Sequence, residues 1–332
     1  MQQLIYAVIT SFFICLISGP VIIPALKRLK FGQTVREEGP QTHLKKTGTP
    51  TMGGVMIILS ILIATFLFSK RNYDFVLVAS LVMLGYGVIG FLDDFIKVAM
   101  KRSLGLRAYQ KIIGQVGIAV IFAFFAYNHP DIGSKVIVPF MNIEWDLGIW
   151  YIPFIVFVVV GTVNSVNLND GLDGLCAGVT LIYSAAFSII MLYASNLAFS
   201  SGANYHGINL QNMMVFAGAV TGACLGFLRF NSYPAQVFMG DTGALALGGA
   251  VAMMAIVYRL PLLLPIMGGV YMAESISVIL QVASFKLTGK RIFRMAPLHH
   301  HFEMKGMPET KVVAIFMIAA VILCLIGLLA LR

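Results

Sequence analysis

A succession of apolar runs constrains the fold of this chain more than any other feature, because each is close to the roughly 17 to 25 residues that cross a bilayer as a helix. The hydrocarbon core of a bilayer admits only helices and closed barrels. Since 59% of the residues are hydrophobic and 11% are charged, a soluble protein is excluded. We expect an all-α integral membrane protein, a polytopic bundle of about ten transmembrane helices in a single domain over residues 1–332. The predicted spans are 4–26, 52–69, 75–96, 112–127, 147–163, 175–194, 213–228, 243–258, 260–283 and 312–331.

Two connections between these spans need comment. Near Pro261 and Pro265, the eighth and ninth runs form either two helices or a single broken unit. Residues 128–148 alternate between polar and apolar positions, which predicts a short external hairpin without a chemical role.

Lysine and arginine are distributed unevenly among the predicted loops. If the first loop is cytoplasmic, that side also carries most of the basic residues: Lys27, Arg28, Lys30, Arg36, Lys45, Lys46, Lys97, Lys101, Arg102, Arg107, Lys111, Arg229, Lys286, Lys290, Arg291, Arg294, Lys305 and Lys311. The other side keeps Lys70, Arg71, Lys135, Arg259 and Arg332. The positive-inside rule and an even number of helices then place both termini outside. The net charge of +9 is therefore a topological signal and does not indicate nucleic-acid binding.

A polar segment, NSVNLNDGLDGL at residues 164–175, lies between two apolar runs. Its Asn164, Asn167, Asp170 and Asp173 recur every three residues, so we expect them along one helical stripe, converging on one object. Polar, glycine-rich backbone at membrane depth needs protein or water around it. The segment therefore predicts the lining of a site.

Two adjacent acids, Asp93 and Asp94, end the third run, and Lys97 follows one turn later. Carboxylates about 4 Å apart repel by roughly 4 kcal/mol at an effective dielectric near 20, so a cation must offset them. Either Lys97 does so as an ordinary helix pair, or the oxygens bind Mg²⁺ at a phosphate-rich site.

A second polar segment between apolar runs is FNSYPAQVFMGDTG, residues 230–243. Asp241 could be a simple helix N-cap, worth about 1 kcal/mol. That role explains neither Asn231 nor Phe238, and a carboxylate at a helix N-terminus also suits a metal-bridged phosphate.

The ninth run carries Glu274 and Gln281 on one face, and for Glu274 a structural, hydrogen-bonded role is favoured over a place in a transport pathway. A cytoplasmic segment with three histidines follows, and Pro297 argues for a loop there. Neighbouring side chains on a helix point about 100° apart, so a zinc site is not expected. We expect phosphate binding or proton transfer by one or two of His299, His300 and His301.

The acids from three segments, the histidines and several lysines are all predicted on one membrane face. A transporter usually keeps its ionisable groups near the midplane. Chemistry on one face favours an enzyme that takes a soluble anionic substrate from the cytoplasm and a lipid from the bilayer, with Mg²⁺ neutralising phosphate charge.

Five motifs, in order along the chain, resemble the cytoplasmic motifs of the phospho-N-acetylmuramoyl-pentapeptide transferase (translocase I) family, within the polyprenyl-phosphate N-acetylhexosamine-1-phosphate transferases. They are GTPTMGG (48–54), DDFIK (93–97), NSVNLNDGLDGL (164–175), FNSYPAQVFMGDTG (230–243) and PLHHHFEMKG (297–306). Asn169 replaces a usual threonine and Ala244 a usual serine, and neither change removes a carboxylate.

The resemblance implies Mg²⁺-dependent transfer of phospho-N-acetylmuramoyl-pentapeptide from its UDP-linked form (UDP-MurNAc-pentapeptide) to undecaprenyl phosphate. The products would be lipid I and UMP, at the first membrane step of peptidoglycan synthesis in the bacterial cytoplasmic membrane. It implies that Asp93, Asp94 and Asp241 are catalytic and metal-binding, and that Lys97 and His300 stabilise the diphosphate. The uridine end would be held by Lys46, Leu172, Asp173, Asn231 and Phe238. The other expected substrate-binding residues are Thr51, Asn167, Asp170, Gln281, His299 and His301.

Several alternatives stay open at this level. A sister transferase would use UDP-N-acetylglucosamine, and the histidine motif is the feature that discriminates against it. A transporter or lipid flippase has only the face of Glu274 and Gln281 in its support. The lipid phosphate could attack directly, with Asp93 deprotonating it, or an aspartate could attack first and form a phosphoryl-enzyme. Glycine-rich spans and an apolar perimeter are compatible with a homodimer.

Overall fold

The computed structural model describes residues 1–28, 46, 48–70, 74–100, 105–141 and 143–330. Some basic residues used to predict the orientation lie outside these ranges, namely Lys30, Arg36, Lys45, Arg71, Lys101, Arg102 and Arg332.

Helices account for every predicted span within the described ranges. In chain order they are α1 (Gln2–Arg28), α2 (Gly54–Phe68), α3 (Asp74–Ala99), α4 (Ala108–Asn128), α5 (Tyr151–Leu168), α6 (Leu175–Ser200), α7 (Asn204–Asn231), α8 (Gly240–Ile256), α9 (Leu264–Met267), α10 (Gly269–Thr288), α11 (Leu298–Glu303) and α12 (Glu309–Leu328). Among the described residues, eight helices are long and apolar enough to cross a membrane. The apolar helices α2 and α8 are shorter, with 15 and 17 residues. The chain is a polytopic all-α membrane protein, as the sequence predicts.

The helix α8 occupies the centre of the bundle. All of its residues from Thr242 to Ile256 are buried, and it packs against α2, α3, α5, α6 and α7. In α6 and α7 the most apolar stretch is 72% and 78% buried, whereas the figure is 22% in α1, α4 and α10. A helix that is apolar all round belongs in an interior, so α6, α7 and α8 form the core and the other three helices face lipid.

The ninth predicted span begins too early. After α8 the chain forms a 3-10 helix at Pro261–Leu263 and the short α9, and α10 starts only at Gly269. Pro261 and Pro265 lack the N–H group of a helix interior, and each lies in the first turn of a new short helix, where that group is not needed. The eighth and ninth runs are thus two helices joined by short helical turns.

The predicted hairpin is present between α4 and α5. Its strands, β1 (Lys135–Val138) and β2 (Ile143–Asp146), pair antiparallel with Lys135 opposite Asp146. Ile137 N donates to Arg259 O, just beyond the end of α8. The hairpin therefore adjoins the beginning of α5 and the end of α8, and the opposite ends of these two helices carry the polar segments.

Candidate active site

Charged and polar side chains from four helices meet at one end of the bundle. Asp93, Asp94 and Lys97 lie near the end of α3, and Lys111 lies in the first turn of α4. Asn167 is the second-last residue of α5, and Asp241 is the second residue of α8. Because these helices run in alternating directions, residues far apart in sequence reach the same place, as predicted for the acids.

Three carboxylates and two lysines form the centre of this site. Asp93, Asp94 and Asp241 each offer an oxygen within 4.8 Å of the others. Lys97 Nζ lies 2.6 Å from Asp93 Oδ2, 2.8 Å from Asp241 Oδ2 and 3.7 Å from Asp94 Oδ1. Lys111 Nζ lies 3.0 Å from Asp241 Oδ2. The two ammonium groups offset the mutual repulsion of the carboxylates. Lys97 therefore pairs with Asp241 on α8 as well as with the acids of its own helix.

The two adjacent acids of α3 have different surroundings. Asp94 Oδ2 accepts hydrogen bonds from Thr242 N (2.9 Å) and Thr242 Oγ1 (2.7 Å), and Asp94 Oδ1 accepts one from Asp241 N (3.3 Å). Asp93 Oδ1 accepts one from Leu106 N (2.9 Å), while its Oδ2 faces Lys97. Asp94 therefore satisfies the free N–H groups at the start of α8 and joins that helix to α3.

The interpretation of Asp241 as a simple N-cap is wrong. Helix α8 begins one residue earlier, at Gly240, and Asp94 supplies the capping oxygens from α3. Gly240 has φ 72°, and a Cβ there would lie 2.6 Å from Asp94 Oδ2, so only glycine suits this position. The Asp241 carboxylate instead faces the two lysines, and its Oδ1 accepts a hydrogen bond from Asn167 Nδ2 at 2.8 Å.

The donor set of this cluster fits a hard divalent cation. Carboxylate oxygens are what Mg²⁺ binds, and these three come from two helices that Asp94 holds together. Asn167 fixes the orientation of Asp241 as an outer hydrogen-bond partner does for a metal ligand. The Oδ2 atoms of Asp93 and Asp241 contact lysine ammonium groups, so both oxygens already point at positive charge.

A second charged cluster surrounds Lys46. Its Nζ lies 2.7 Å from Asp173 Oδ1 and 2.6 Å from Glu309 Oε1, and the same Glu309 oxygen accepts a hydrogen bond from Asp173 N at 2.7 Å. Burial alone would lower the pKa of Lys46, but the hydrogen bonds and charges of Asp173 and Glu309 raise it above its ordinary value. Asp173 Oδ2 also accepts a hydrogen bond from Ala235 N at 3.0 Å.

The other residues predicted for the uridine end lie around this cluster. Asn231 Oδ1 accepts a hydrogen bond from Gly174 N (3.1 Å), and its Nδ2 donates to Val237 O (2.9 Å). Leu172 is buried beside Asp173. Phe238, half-buried, joins this region to the GTPTMGG motif, because its backbone N donates to Pro50 O and its O accepts from Gly53 N. Within that motif, Thr51 is buried.

The prediction that four polar residues of segment 164–175 converge on one object is wrong. Asn164 hydrogen-bonds Gln115 on α4, Asn167 bonds Asp241, and Asp173 pairs with Lys46. Helix α5 ends at Leu168, so the helical stripe does not continue to Asp173. Asp170 lies in the intervening turn, where burial and the charges of Asp241, Asp94 and Asp173 raise its pKa well above the ordinary value.

The three histidines lie on α11, a six-residue helix that begins directly after Pro297, and not in the expected loop. His299 is fully buried, with its Nδ1 3.1 Å from Glu274 Oε1. His300 Nδ1 lies 2.7 Å from Glu303 Oε2. His301 Nδ1 accepts a hydrogen bond from Arg294 N at 3.1 Å, and burial with the charges of Lys305 and Arg294 lowers its pKa. Each ring thus has a different partner, and the described residues form no metal group with them.

Two further contacts concern α10. Glu274 is the buried, paired group that the sequence favours, and a Cβ on Gly171 would lie 2.2 Å from His299 Nε2, so this ring also packs against the turn that contains Asp170. Gln281 binds the backbone of the loop after α10, through Ile292 N, Phe293 N and Phe293 O.

Comparison with known proteins identifies the family of this chain. The model of glycosyl transferase family 4 matches residues 75–259. A phospho-N-acetylmuramoyl-pentapeptide-transferase of Alkaliphilus oremlandii is 58% identical over 342 aligned residues, covering 100% of this chain and 98% of that protein. Those of Clostridium kluyveri and a Thermoanaerobacter species are 50% and 52% identical, covering 100% and 97% of this chain and 100% and 96% of their own lengths. The chain belongs to the phospho-N-acetylmuramoyl-pentapeptide-transferase family.

The alignments with these transferases cover every residue of the candidate active site. The family 4 match covers α3 to α8 and so includes Asp93, Asp94, Asp173 and Asp241. Lys46, α11 and Glu309 lie outside that match but inside the alignments with the full-length relatives.

Sequence reasoning missed two charged residues of this transferase site. Lys111 counted only as a loop charge, because residues 95–130 contain no aspartate or glutamate that would mark it, and it meets Asp241 only in the fold. Glu309 follows Pro308 at the start of α12, where an acid normally serves only the helix dipole. Its contacts with Lys46 and Asp173 bridge residues far apart in sequence and become visible only in the folded chain.

Proposed function

We propose that this protein transfers phospho-N-acetylmuramoyl-pentapeptide from UDP-MurNAc-pentapeptide to undecaprenyl phosphate, releasing UMP and forming lipid I in peptidoglycan synthesis. The observation that carries the proposal is the cluster of three carboxylates and two lysines at one end of a membrane bundle. Such a cluster suits a reaction between a diphosphate and a phosphate. The names of the full-length relatives supply the identity of the substrates.

The cluster of three carboxylates and two lysines binds the phosphate groups of the substrates. Asp93, Asp94 and Asp241 would hold Mg²⁺, which supplies neutralisation of phosphate charge when bound. Asp94 also keeps α3 and α8 together, so it has a structural role that Asp93 does not share. Lys97 and Lys111 would turn from the carboxylates toward the diphosphate oxygens, and His300 would assist them from α11.

The cluster around Lys46 holds the nucleotide. Both groups of the Asn231 amide and both oxygens of the Asp173 carboxylate are engaged with the protein, so these side chains fix the shape of the pocket. Phe238 would stack on the uracil ring, and Leu172 would support it. Glu309 acts as a positioning residue, because one of its oxygens binds both Lys46 and the Asp173 backbone.

The remaining predicted residues have positioning roles in this proposal. Thr51 and Asn167 line the adjacent polar pocket with Asp170, which lies in the turn between Asn167 and Asp173 and whose raised pKa favours the neutral carboxyl. His299 is buried, so it would act by supporting the turn at Gly171 and not by touching substrate. His301 and Gln281 fix the segment before α11.

The reaction needs little covalent participation by the protein. The lipid phosphate is already an anionic nucleophile, so the site must align it and neutralise charge. In the direct path, Asp93 takes any proton from the lipid phosphate, whose oxygen bonds the sugar-linked phosphorus. The bond from that phosphorus to the bridging oxygen breaks, and UMP leaves. In the two-step path, an aspartate oxygen first bonds that phosphorus and UMP leaves. An oxygen of the lipid phosphate then bonds the phosphorus, and the bond from the phosphorus to the aspartate breaks.

The proposal includes a location. The basic residues favour an orientation with the site facing the cytoplasm and both termini outside, and the bacterial relatives favour the bacterial cytoplasmic membrane. A homodimer is compatible with the exposed apolar perimeter.

UMP release by the purified protein tests this function. Undecaprenyl phosphate and Mg²⁺ are supplied, and UDP-MurNAc-pentapeptide and UDP-N-acetylglucosamine are offered in parallel. We expect turnover of the muramoyl substrate alone, lost with EDTA and with Asp241→Asn. Turnover of the glucosamine substrate would assign the sister reaction, and release of UMP from neither would overturn the proposal.

A further inference from the structure

The end of α10 and the loop after it carry a purely positive charge. Residues 275–302 contain no aspartate or glutamate, and their lysines and arginines are Lys286, Lys290, Arg291 and Arg294. Among the described residues, no carboxylate lies within ion-pair distance of Lys286, Lys290 or Arg291. Arg294 differs, since its guanidinium donates to Met304 O at 2.6 Å. Three exposed cations therefore lack an acidic partner in the described part of the chain.

Large apolar side chains are exposed beside these cations. Leu287 is 84% exposed, the highest value for a large hydrophobic residue in the described chain, and Ile292 and Phe285 are 56% and 54% exposed. Leu287 directly follows Lys286, and Ile292 directly follows Arg291. Cations that alternate with exposed apolar groups match the boundary of a bilayer, where alkyl stems contact lipid and charged heads reach the phosphates.

The loop is fixed to the helix, so this surface is built into the fold. Gln281 accepts hydrogen bonds from Ile292 N (3.1 Å) and Phe293 N (2.9 Å) and donates to Phe293 O (3.0 Å). Ser284 Oγ donates to Lys290 O (2.9 Å), and Gly289 ends the helix with φ 69°. Residues 290–293 therefore fold back along the last turns of α10 and keep Lys290, Arg291 and Ile292 next to Phe285 and Leu287.

We propose that residues 282–294, here called the α10 anchor, bind the headgroups of anionic phospholipids in the surrounding bilayer. Lys286, Lys290 and Arg291 contact the lipid phosphates, while Phe285, Leu287 and Ile292 enter the acyl region. The charge of the anchor determines which lipid it binds. Each of the three unpaired cations raises the affinity for an anionic over a zwitterionic headgroup by about fivefold. The anchor also contacts α11, because Arg294 N donates to His301 Nδ1.

Lipid binding to the purified protein tests the anchor independently of any transferase activity. Native mass spectrometry would measure the affinity for phosphatidylglycerol and for phosphatidylcholine. The test variant is Lys290→Gln/Arg291→Gln, and the matched control is Lys305→Gln/Lys311→Gln, which removes the same charge from exposed positions outside the anchor. We expect about a 25-fold loss of phosphatidylglycerol affinity in the test variant and less than about a twofold loss in the control.

A third variant separates the effect of the fixed loop conformation on lipid binding from the effect of the charge. Gln281→Leu keeps every cation but removes the bonds that hold the loop, so we expect it to weaken phosphatidylglycerol binding at unchanged net charge. Equal losses in the test and control doubles would show a diffuse charge effect and overturn the proposal. Equal affinity of the wild type for phosphatidylglycerol and phosphatidylcholine would also overturn it. Thermal unfolding of each variant verifies that it is folded before binding is compared.

Discussion

Replacing Glu309 by glutamine is expected to weaken binding of the UDP-linked substrate while leaving the chemical step unchanged. Glu309 Oε1 accepts two hydrogen bonds, from Lys46 Nζ at 2.6 Å and from Asp173 N at 2.7 Å. The Lys46 and Glu309 side chains are only 14% and 9% exposed. A hydrogen bond to a charged group contributes about 1.5 to 3 kcal/mol, whereas one between neutral groups contributes about 1 kcal/mol.

The expected magnitude follows from these contacts. Glutamine keeps an accepting oxygen but loses the charge. The bond from Asp173 N becomes one between neutral groups and weakens by about 1 kcal/mol, and Lys46 loses an ion pair worth about 1 kcal/mol, so the free energy that holds these two groups in place falls by about 2 kcal/mol. Lys46 then has to be ordered when substrate binds, and that cost appears in the affinity. About 2 kcal/mol corresponds to roughly a 30-fold rise in KM. The kcat value should stay within about twofold of wild type, because Glu309 lies in the cluster around Lys46 and not among the three carboxylates.

Steady-state kinetics of UMP release, with UDP-MurNAc-pentapeptide varied, provides the measurement. The control is Glu144→Gln, which removes an acid from the hairpin at the other end of the bundle, where Glu144 pairs with Lys135 and Arg259. A double-mutant cycle with Lys46→Met should show strong coupling, since either change alone breaks the same contact. An unchanged KM, a fall in kcat alone, or additive effects of the two substitutions would refute the reasoning.

Three other predictions follow from the site. Asp94→Asn should lower both the melting temperature and the activity, because Asp94 caps α8. Asp93→Asn should lower the activity with little change in melting temperature, because Asp93 does not cap that helix. Equal shifts in the melting temperatures of the two variants would contradict this. Asp170→Asn should stabilise the substrate-free protein, and the gain should grow as pH rises. Because the pKa of Asp170 is raised in the folded protein, the stability that this carboxyl contributes is present below the ordinary aspartate pKa and is lost as pH rises through the raised value. Thermal unfolding of both proteins between pH 5 and 8 measures the difference in melting temperature. A stability gain of Asp170→Asn that shrinks with rising pH would contradict this reasoning. Gly171→Ala should reduce activity at least about tenfold by displacing His299, whose Nε2 would lie 2.2 Å from the new Cβ. Gly161→Ala serves as the control, because a Cβ on Gly161 would have open space around it.

The architecture could be read from the sequence because membrane spans are a local property. Each apolar run satisfies its backbone within one helix, so its position does not depend on distant contacts. The error at the ninth span has the same origin: residues 260–268 are as apolar as a helix interior, and only the prolines and the packing of short turns distinguish them.

The site was only partly predictable because its geometry is non-local. The acids stand out in sequence as charges beside apolar runs, and the structure brings Asp93, Asp94 and Asp241 together. Their different surroundings depend on Thr242 and Leu106 from other segments, and no spacing rule contains that information. In segment 164–175, a spacing of three suggested a single stripe, but the turn after Leu168 sends Asn167 and Asp173 to different clusters.

The burial of α8 has a consequence for how the protein is made. The helices that surround it, α2, α3, α5, α6 and α7, all precede it in the chain. During synthesis, which proceeds from the N-terminus, the space that α8 fills can therefore exist before α8 leaves the ribosome. A nascent chain that stops before Gly240 would hold Asp93 and Asp94 without Asp241 or the capped helix end. Insertion of α8 therefore completes the bundle core and brings the three carboxylates together in a single step of biogenesis.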